Sequence, residues 1–299
     1  MCDRVRLTIF TVTYNRCHTL PRLYESLCRQ SCSEFNWLVI DDGSVDNTDK
    51  LIAVYSRENR IPIRYVRKEN GGLHTGYNIA YSLINTELSM CVDSDDYLAD
   101  DAVEVILKEW KKRGSDKYAG LIGLDYDIAK NQIIGGPFPN NMYEVYFLDL
   151  YTKRIHIGDT KLILRTKLLK RYSPQIGFPG EKCFNPVYVT HQVCDIYPLI
   201  VLNHVICNVE YQSADSMSKS IFHQYWNNPK SFAKTRLMEM SLNRSTFFNN
   251  IRSCVHYVSS CIIAKDKNWL RNTPRKLMTL SMAPLGLILY FYIRYKNHA

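Results

Sequence analysis

The sequence lacks the motifs that mark several common enzyme and metal-binding classes. It has no P-loop lysine and no complete G-x-G-x-x-G, which argues against NTPases, kinases and dinucleotide-dependent enzymes. It has no G-x-S-x-G turn, which argues against a serine hydrolase. Its 10 cysteines include no C-x-x-C pair and have no histidine partners at zinc-finger spacing. The common nucleophile and zinc chemistries are therefore poor explanations of this chain.

A secretion signal is also missing. The first residues, MCDRVRLTIF, contain no long apolar region of the kind that a signal peptide requires. We therefore expect a cytoplasmic protein with reduced thiols, in which Cys28, Cys32 and Cys91 are packing residues. The hydrophobic content of 46% and the charged content of 22% are typical of a globular chain with a sizeable core.

The net positive charge of the chain is concentrated near its C-terminal end. Residues 1–240 are nearly neutral, whereas residues 241–299 contain nine Lys or Arg and a single acid, Asp266. The basic residues of this tail are dispersed among apolar ones and form no nucleic-acid-binding motif. We therefore expect no nucleic-acid partner.

Residues 277–293 of the tail, LMTLSMAPLGLILYFYI, form a run of 17 without a charge. As a helix this run would be roughly 26 Å long, at the lower limit for crossing a bilayer. Pro284 interrupts it, and Lys and Arg flank both ends. These features predict a helix that lies in or dips into the cytoplasmic leaflet and binds anionic lipid. A helix docked on the rest of the protein is the alternative.

The first 125 residues alternate between short β-rich runs and helical patterns. Strands are predicted at RLTIFTVT, FNWLVIDD, IPIRYVRK, LSMCVDSDD and AGLIGLDYD. Apolar residues recur on one helical face between them, as at Leu20, Leu23 and Leu27. This alternation predicts βαβ units and a largely parallel, twisted sheet. Beyond Gly135 the pattern is irregular, and we expect loops, short strands and one helix around Asp159 to Leu169.

Polar side chains follow each of the first four predicted strands. They are Thr13 and Tyr14, then Asp41 and Asp42, then Lys68 and Asn70, and finally Asp93, Asp95 and Asp96. The carboxyl ends of parallel strands share one edge, and open α/β sheets bind their ligands at that edge. The four groups are therefore predicted to meet in one crevice.

The acids in the segment VDSDD repel one another unless something offsets their charge. A D-x-D pair suits a hard divalent cation, because Mg²⁺ takes one or two protein carboxylates and completes its shell with substrate phosphates. Mn²⁺ has similar preferences, so the predicted cofactor is Mg²⁺ or Mn²⁺. A purely structural role explains this motif alone about as well as a metal site does. Asp95 and Asp96 could instead stabilise the N-terminus of the next helix.

The segment VIDDGSVDNTD contains a second pair of acids. A tight Gly-Ser turn after a buried strand can aim one carboxylate into the crevice, where it would accept the imide N–H of a uracil-like base. The neighbouring carboxylate would then bind backbone. An Asx turn is the structural alternative, and it explains Asp46 but not the pair.

Four ordered segments resemble the family 2 glycosyltransferases, which have the GT-A fold. They are FTVTYNR, VIDDGSVDNT, ENGGLHTGYNIA and VDSDD, within about Leu7 to Val105. The later segments HIGDTKLILRTKLLKRYSPQIGFPGEKCF and VEYQSADSMSKS are looser likenesses to polysaccharide-building members. The resemblance implies an α/β, Rossmann-like GT-A domain over residues 1–240, with a nucleotide-binding half (1–125) and an acceptor half (126–240). Residues 241–299 would be a helical, membrane-associating extension.

The resemblance also implies roles for single residues. Those expected to bind the nucleotide sugar are Thr13, Tyr14, Asp42, Lys68, Asn70 and Asp93, and the metal would be held by Asp95 and Asp93. This chain departs from the family at two places. Val12 stands where the family often has Pro, a residue that acts through its backbone. Tyr77 stands where many members have an Arg next to Asn78, and Lys68 or His74 is the candidate replacement for that cation.

The implied reaction is hexosyl transfer, with inversion, from a nucleotide diphosphate sugar to a hydroxyl of a glycan or lipid-linked glycan. A UDP-sugar is favoured, and the product would be cell-surface polysaccharide or glycolipid. Inversion needs one general base for the acceptor hydroxyl, and Glu181 in FPGEKCF is our choice. A loop glutamate paired with Lys182 is the structural alternative for that residue, and Asp159 is the alternative base.

Two other functions stay open. A sugar nucleotidyltransferase also uses an α/β sheet and Mg²⁺, but it would normally carry a Gly-rich loop with Arg or Lys after the first strand. A non-catalytic, membrane-associated scaffold could retain the nucleotide-sugar pocket without turnover. We expect a cytoplasmic protein attached peripherally to the inner face of the cell membrane.

Overall fold

The computed structural model of the chain describes residues 5–210 and 221–298. Most of the VEYQSADSMSKS segment lies outside the described residues. The chain forms two compact units. The first comprises Met1–Gly71, Thr75–Pro174 and Tyr197–Tyr211, and the second comprises Gly72–His74, Gln175–Ile196 and Gln212–Ala299. The predicted boundaries at residues 125 and 240 stay predictions.

The described residues of the first unit form one sheet of 10 strands. They are β1 (Leu7–Thr13), β2 (Phe35–Asp41), β3 (Ile63–Arg67), β4 (Leu88–Cys91), β5 (Tyr97–Leu98), β6 (Gly120–Asp127), β7 (Gln132–Ile133), β8 (Glu144–Val145), β9 (Thr160–Arg165) and β10 (Leu199–Val209). Their order is β3-β2-β1-β4-β9-β6-β10-β5, with β7 beside β6 and β8 beside β10.

The first four strands run parallel to one another, in the pairs β1–β2, β2–β3 and β1–β4. Strand β9 is antiparallel to both of its neighbours, β4 and β6, and β10 is parallel to β6. Strands β4, β6 and β10 therefore point the same way, and β9 begins where β4 and β6 end. The predicted α/β class with a mainly parallel sheet is confirmed.

The helices of this unit are amphipathic and bury one face. They are α1 (Leu20–Cys28), α2 (Thr48–Glu58), α3 (Leu73–Leu83, whose first two residues count with the second unit), α4 (Ala102–Arg113), α5 (Phe147–Thr152) and α6 (Thr166–Tyr172). Leu20, Leu23 and Leu27 are fully buried, as their spacing predicts. They belong to the same hydrophobic core as Trp37 of β2 and Trp110 of α4.

The helix predicted around Asp159 to Leu169 is wrong over its first half. Thr160–Arg165 is strand β9, and α6 begins only at Thr166. Strand β9 lies inside the sheet, and the consecutive residues Ile163 and Leu164 are both buried although they point to opposite faces. A short apolar run buried on both faces cannot be told from a buried helix by its periodicity.

The second unit is helical, as predicted for the end of the chain. It contains α7 (Val187–Ile196), α8 (Ile221–Asn227), α9 (Pro229–Ser241), α10 (Phe247–Ile263), α11 (Trp269–Asn272) and α12 (Lys276–His298). Its small core includes Met240, Cys254, Tyr257 and Cys261. Of the helices within residues 5–210 and 221–298, one has the length and composition to cross a bilayer, over Lys276–Asn297 of α12.

Candidate active site at the strand ends

The loops that follow β1 and β2 are tied to each other by an asparagine. Asn15 adopts a φ of 53°, a left-handed conformation that asparagine tolerates better than most residues. Its backbone N–H donates to Ser44 Oγ at 2.9 Å, and its Oδ1 accepts from the Val45 N–H at 2.8 Å. Thr13 is buried at the end of β1, whereas the neighbouring Tyr14 is about half exposed. The loop therefore presents one aromatic ring to solvent at the sheet edge.

The two acids after β2 have different surroundings. Asp41 is fully buried, and it accepts hydrogen bonds from the Ser44 N–H at 2.7 Å and from the Tyr65 hydroxyl at 2.5 Å. The hydroxyl and the burial together raise the pKa of Tyr65, with burial the larger cause. Asp41 thus holds the Gly-Ser turn, as expected for the member of the pair that binds backbone.

Asp42 brings the end of β2 together with the loop after β3. Its Oδ1 accepts from Lys68 Nζ and, at 3.0 Å, from the Gly71 N–H. Asn70 Nδ2 donates to the Asp42 carbonyl at 2.9 Å and to Oδ2 at 3.2 Å. The structure therefore places three of the predicted nucleotide-sugar ligands, Asp42, Lys68 and Asn70, in direct contact.

Gly43 makes this close approach possible. It has a φ of +82°, and a Cβ there would lie 2.9 Å from the Asn70 backbone nitrogen, closer than side chains tolerate. The same glycine lines a shallow, open depression with Arg67, Lys68, Glu69 and Asn70. An open depression thus lies beside the Asp42 cluster.

The D-x-D segment forms a turn directly after β4. The Asp96 N–H donates to the Asp93 carbonyl at 3.1 Å. Asp93 is exposed, Asp95 is partly exposed and Asp96 is buried. Arg22 of α1 donates to the Asp95 carbonyl oxygen, and its guanidinium lies 5.0 Å from the ring centre of Tyr97. A cation on another element therefore fixes the backbone of this turn.

A buried lysine lies among the acids of the sheet edge. Lys161 is the second residue of β9, is 9% exposed, and places its Nζ 3.3 Å from Asp96 Oδ2. Asp125 of β6 is 2% exposed, and its Oδ1 has no hydrogen-bond partner among the described residues. Because β9 begins where β4 and β6 end, one ammonium group pairs with the acid that follows β4 and interacts electrostatically with the acid of β6.

The pKa values show which charges interact here. Burial would lower the pKa of Lys161, but the neighbouring acidic groups Cys207, Asp125 and Asp96 raise it well above its usual value. Burial raises the pKa of Asp125 to about 7 and that of Asp96 to about 6, although the Lys161 ammonium opposes both shifts. Lys161 therefore offsets part of the repulsion among the carboxylates of the segment VDSDD.

Asp93 and Asp95 are two side chains at this edge that could hold a divalent cation. The negative charges of Asp95 and Asp159 act on Asp93, and a cation would relieve that repulsion. Within the described residues no three His, Cys, Asp or Glu side chains form a metal-binding group. Two carboxylates suffice for Mg²⁺ when substrate phosphates complete the shell, so the donor set fits a cation that is shared with a diphosphate.

Tyr77, where the family often has Arg, belongs to the aromatic packing beside β1 and β4. Its ring meets Phe10 edge-on at 5.2 Å, and its hydroxyl donates to Cys91 Sγ at 2.9 Å. Of the two candidate replacements for the missing cation, Lys68 pairs with Asp42, whereas His74 is buried beside Phe184. The neighbouring cations that sequence reasoning missed are Lys161 and Arg22.

The two candidate bases have different surroundings. Asp159 is exposed, immediately precedes β9, and so lies at the edge where β4 and β6 end. Its charge contributes to the raised pKa values of Asp93 and Asp125. Glu181 belongs to the second unit, where its Oε1 and Oε2 accept from the N–H groups of Lys230 and Ser231, at 2.9 and 2.7 Å. Glu181 therefore caps the first turn of α9.

Replacing Lys161 with Met should destabilise the first unit by about 3–5 kcal/mol, because it leaves buried carboxylates without their cation. The folded-state pKa of Asp125, about 7, exceeds its ordinary value of 3.8. The folded state therefore binds the extra proton between these values, so stability rises as the pH falls through 7. The deficit of K161M should accordingly be larger at pH 8 than at pH 5.5, as measured by urea unfolding.

Lys153→Met is the matched control for this variant. Lys153 is largely exposed and pairs with Asp149 one helical turn away, an arrangement that contributes little to stability. Equal losses in K161M and K153M, or a deficit of K161M that does not change with pH, would contradict the assignment of Lys161 as the internal counter-charge.

A family profile matches the part of the chain that contains this site. The profile, described as Glycosyl transferase family 2, covers residues 8–170, more than half of the chain. The chondroitin synthase of Pasteurella multocida (strain Pm70) is 35% identical over 107 residues, which make up 36% of this chain and 11% of that protein. The chain thus spans about a tenth of the length of this curated relative.

Solved structures resemble the chain over nearly its whole length. TarS of S. aureus in complex with UDP-GlcNAc gives a TM-score of 0.60 at 17% identity, covering 98% of this chain and 91% of that one. The mannosyltransferase PcManGT of Pyrobaculum calidifontis, in complex with GDP-Man and Mn2+, gives 0.58 at 12% identity, covering 97% and 88%. At such identities the likeness concerns the fold, and the predicted GT-A fold is confirmed.

Proposed function

The chain belongs to glycosyl transferase family 2, and from this membership we propose that it moves a hexosyl group from a nucleotide diphosphate sugar to an acceptor hydroxyl. The observation that carries the proposal is the placement of Tyr14, Asp42 and the Asp93–Asp95 pair after the parallel strands β1, β2 and β4. A UDP-sugar is the favoured donor. The neighbour solved with UDP-GlcNAc and the relative named chondroitin synthase support this choice.

The nucleotide would bind at the ends of β1 to β3. The exposed ring of Tyr14 offers a stacking surface for the base. Asp42 would accept the imide N–H of uracil, with Lys68 and Asn70 holding its carboxylate in place. Thr13 lies buried beneath this site, and Asp93 would contact the ribose or the metal shell. These roles follow from the family's pattern and from the contacts within the first unit.

Asp95 and Asp93 would hold Mg²⁺ or Mn²⁺, which neutralises the charge on the departing diphosphate when it is bound. The other residues at this edge arrange the two ligands. Arg22 fixes the carbonyl of Asp95, and Lys161 neutralises Asp96 behind the turn. The exposed carboxylates are thereby left to the cation and the donor.

Inversion requires that the acceptor oxygen attack the anomeric carbon on the face opposite the diphosphate. The bond from that carbon to the diphosphate oxygen breaks, the nucleoside diphosphate leaves, and the general base takes the hydroxyl proton. We propose Glu181 as this base, with Asp159 as the alternative. Capping α9 does not rule out Glu181, because a carboxylate offers about four acceptor sites and backbone N–H groups occupy two of them.

The acceptor is proposed to be a glycan or a lipid-linked glycan in the assembly of cell-surface polysaccharide or glycolipid. A lipid-linked acceptor would make attachment to the inner face of the cell membrane useful, because both substrates would then meet at one surface. The apolar, cation-flanked run of residues 277–293 supports peripheral attachment of a cytoplasmic protein.

A panel of UDP-, GDP- and dTDP-sugars tests this function. With Mn²⁺ or Mg²⁺, we expect slow release of nucleoside diphosphate from one donor class, at least about tenfold faster than with EDTA. A sugar nucleotidyltransferase would instead release pyrophosphate from a nucleoside triphosphate and a sugar phosphate. Tight binding of a nucleotide sugar without release would identify a scaffold, and either result would contradict the proposal.

A further inference from the structure

Helix α12 has one face docked on the second unit. Thr279 is fully buried, and its Oγ1 lies 3.4 Å from Cys254 Sγ of α10 and 2.8 Å from Thr273 Oγ1. One heptad later, a Cβ on Gly286 would lie 2.6 Å from the side chain of Val258, so α12 approaches α10 closely at a position where it has no side chain of its own. Ile293, another heptad on, is 1% exposed. This stripe fixes α12 along α10.

The far end of α12 is also fixed, by contacts with α8. Tyr290 stacks on Trp226, with ring centroids 6.4 Å apart, and Tyr292 meets Phe222 edge-on at 5.3 Å. The Asn297 side chain pairs with His223 at 2.9 Å. The helix is therefore held to its own unit from Thr279 to Asn297, over nearly its full length.

The opposite face of α12 is apolar and exposed. Leu277 is 85% exposed and Ile288 64%, and the other large side chains on this face are Leu280, Leu287, Phe291 and Tyr295. Their spacing of three, four and seven residues places them in one stripe along the helix. No charged residue lies between Lys276 and Arg294. A continuous apolar stripe of this length marks an interaction surface rather than scattered surface residues.

The charges around the stripe indicate what covers it. Arg271, Arg275 and Lys276 precede the uncharged run, and Arg294 and Lys296 follow it. Asp266 is the single acid from residue 241 to the end of the chain. Apolar side chains bordered by cations at both ends match a membrane with anionic headgroups. A second copy of the chain would bring the same cations together, where they would repel one another.

We propose that α12 lies in the plane of the membrane, with its Leu277–Tyr295 stripe in the anionic leaflet and its opposite face on α10 and α8. A helix that crosses the bilayer must face hydrocarbon on all sides, and α12 would have to give up its contacts with Cys254, Trp226 and His223. In-plane binding keeps these contacts. The inference deepens the proposed membrane attachment and is independent of sugar transfer.

Vesicles of phosphatidylcholine with an equal part of phosphatidylglycerol provide the test. Ile288→Glu and Phe291→Glu should each lower the fraction of the full-length protein that sediments with vesicles by about tenfold or more. Val54→Glu, at an exposed position of α2, is the matched control and should bind as the wild type does. Point substitutions are preferred to deleting α12, because deletion would expose the face of α10 that α12 covers.

Two further measurements separate the alternatives. Tryptophan introduced at Leu280, Ile288 or Tyr295 should be quenched at one shallow depth by lipids brominated at different positions, and depths that increase along the helix would show a crossing helix. Light scattering without lipid should give the same mass for the wild type and I288E. A wild-type dimer that I288E dissociates, with vesicle binding unchanged, would overturn the proposal in favour of a second copy.

Donor hydrolysis in solution distinguishes a failure of the membrane proposal from a failure of the proposed function. It should be equal in the wild type, I288E and F291E, since the stripe lies outside the proposed active site. Loss of vesicle binding with unchanged hydrolysis supports the membrane face. Vesicle binding that is unchanged by both substitutions would contradict the proposed membrane contact of α12, whatever the donor panel shows.

Discussion

Asp95→Asn should lower kcat for sugar transfer by at least about 1,000-fold, since Asp95 is the proposed principal metal ligand and a metal ion contributes several kcal/mol to such a reaction. The fold should survive, because Asp95 is partly exposed and the turn is held through its carbonyl by Arg22. The measurements are transfer rate, thermal unfolding and calorimetric titration with Mn²⁺ in the presence of UDP. We expect weaker Mn²⁺ binding together with an unchanged melting temperature.

Asp100→Asn is the matched control for this variant. It makes the same chemical change five residues later, at an exposed aspartate that pairs with Arg29. This variant should retain both turnover and Mn²⁺ binding. Near-normal transfer by D95N would contradict the metal role of Asp95.

The parallel strands β1 to β4 and the polar groups after them could be predicted because the relevant signals are local. Each apolar run is a strand, and the chain direction alone decides that Asp42 and Asp93 share an edge. The contact of Asp42 with Lys68 and Asn70 follows from this rule, since β2 and β3 are neighbours in both sequence and sheet. The part of the site built from consecutive βα units was therefore accessible from the sequence.

Lys161 could not be found in the same way. Its partner Asp96 lies 65 residues away, and the two meet because β9 enters the sheet antiparallel between β4 and β6. The apolar residues Ile163 and Leu164 are compatible with either a buried strand or a buried helix. The predicted helix gave no reason to place Lys161 beside Asp96. A charged residue at the start of a buried apolar run was the available signal, because such a residue needs a partner when it is buried.

The capping contact of Glu181 was hidden for a related reason. Its partners Lys230 and Ser231 are 49 and 50 residues away, and a helix N-terminus accepts a carboxylate from any segment that reaches it.

For α12, the uncharged run could be read as a docked or a membrane-bound helix. The structure shows a docked face and an exposed apolar face on the same helix, since Thr279 is buried and Leu277 is 85% exposed.

The variants Glu181→Gln and Asp159→Asn should show which carboxylate is the general base and which has only a structural role. Loss of a general base lowers kcat by about 10²- to 10⁴-fold, so E181Q should lose turnover while it retains UDP binding and the KM for the donor. Gln can still accept one hydrogen bond at the start of α9, and we expect a loss of unfolding free energy of about 1–2 kcal/mol. Thermal unfolding reports that loss independently of the rate.

The outcomes are distinct because each residue has a second role that a different measurement detects. If Glu181 only caps α9, E181Q will be less stable but close to wild type in kcat, and D159N will be the inactive variant. A base at Asp159 is distinguished from a metal effect by Mn²⁺ titration, because loss of the base leaves the metal affinity unchanged. Full activity in both variants would mean that neither carboxylate takes the acceptor proton. The proposed inverting mechanism would then lack its base within the residues assigned to it.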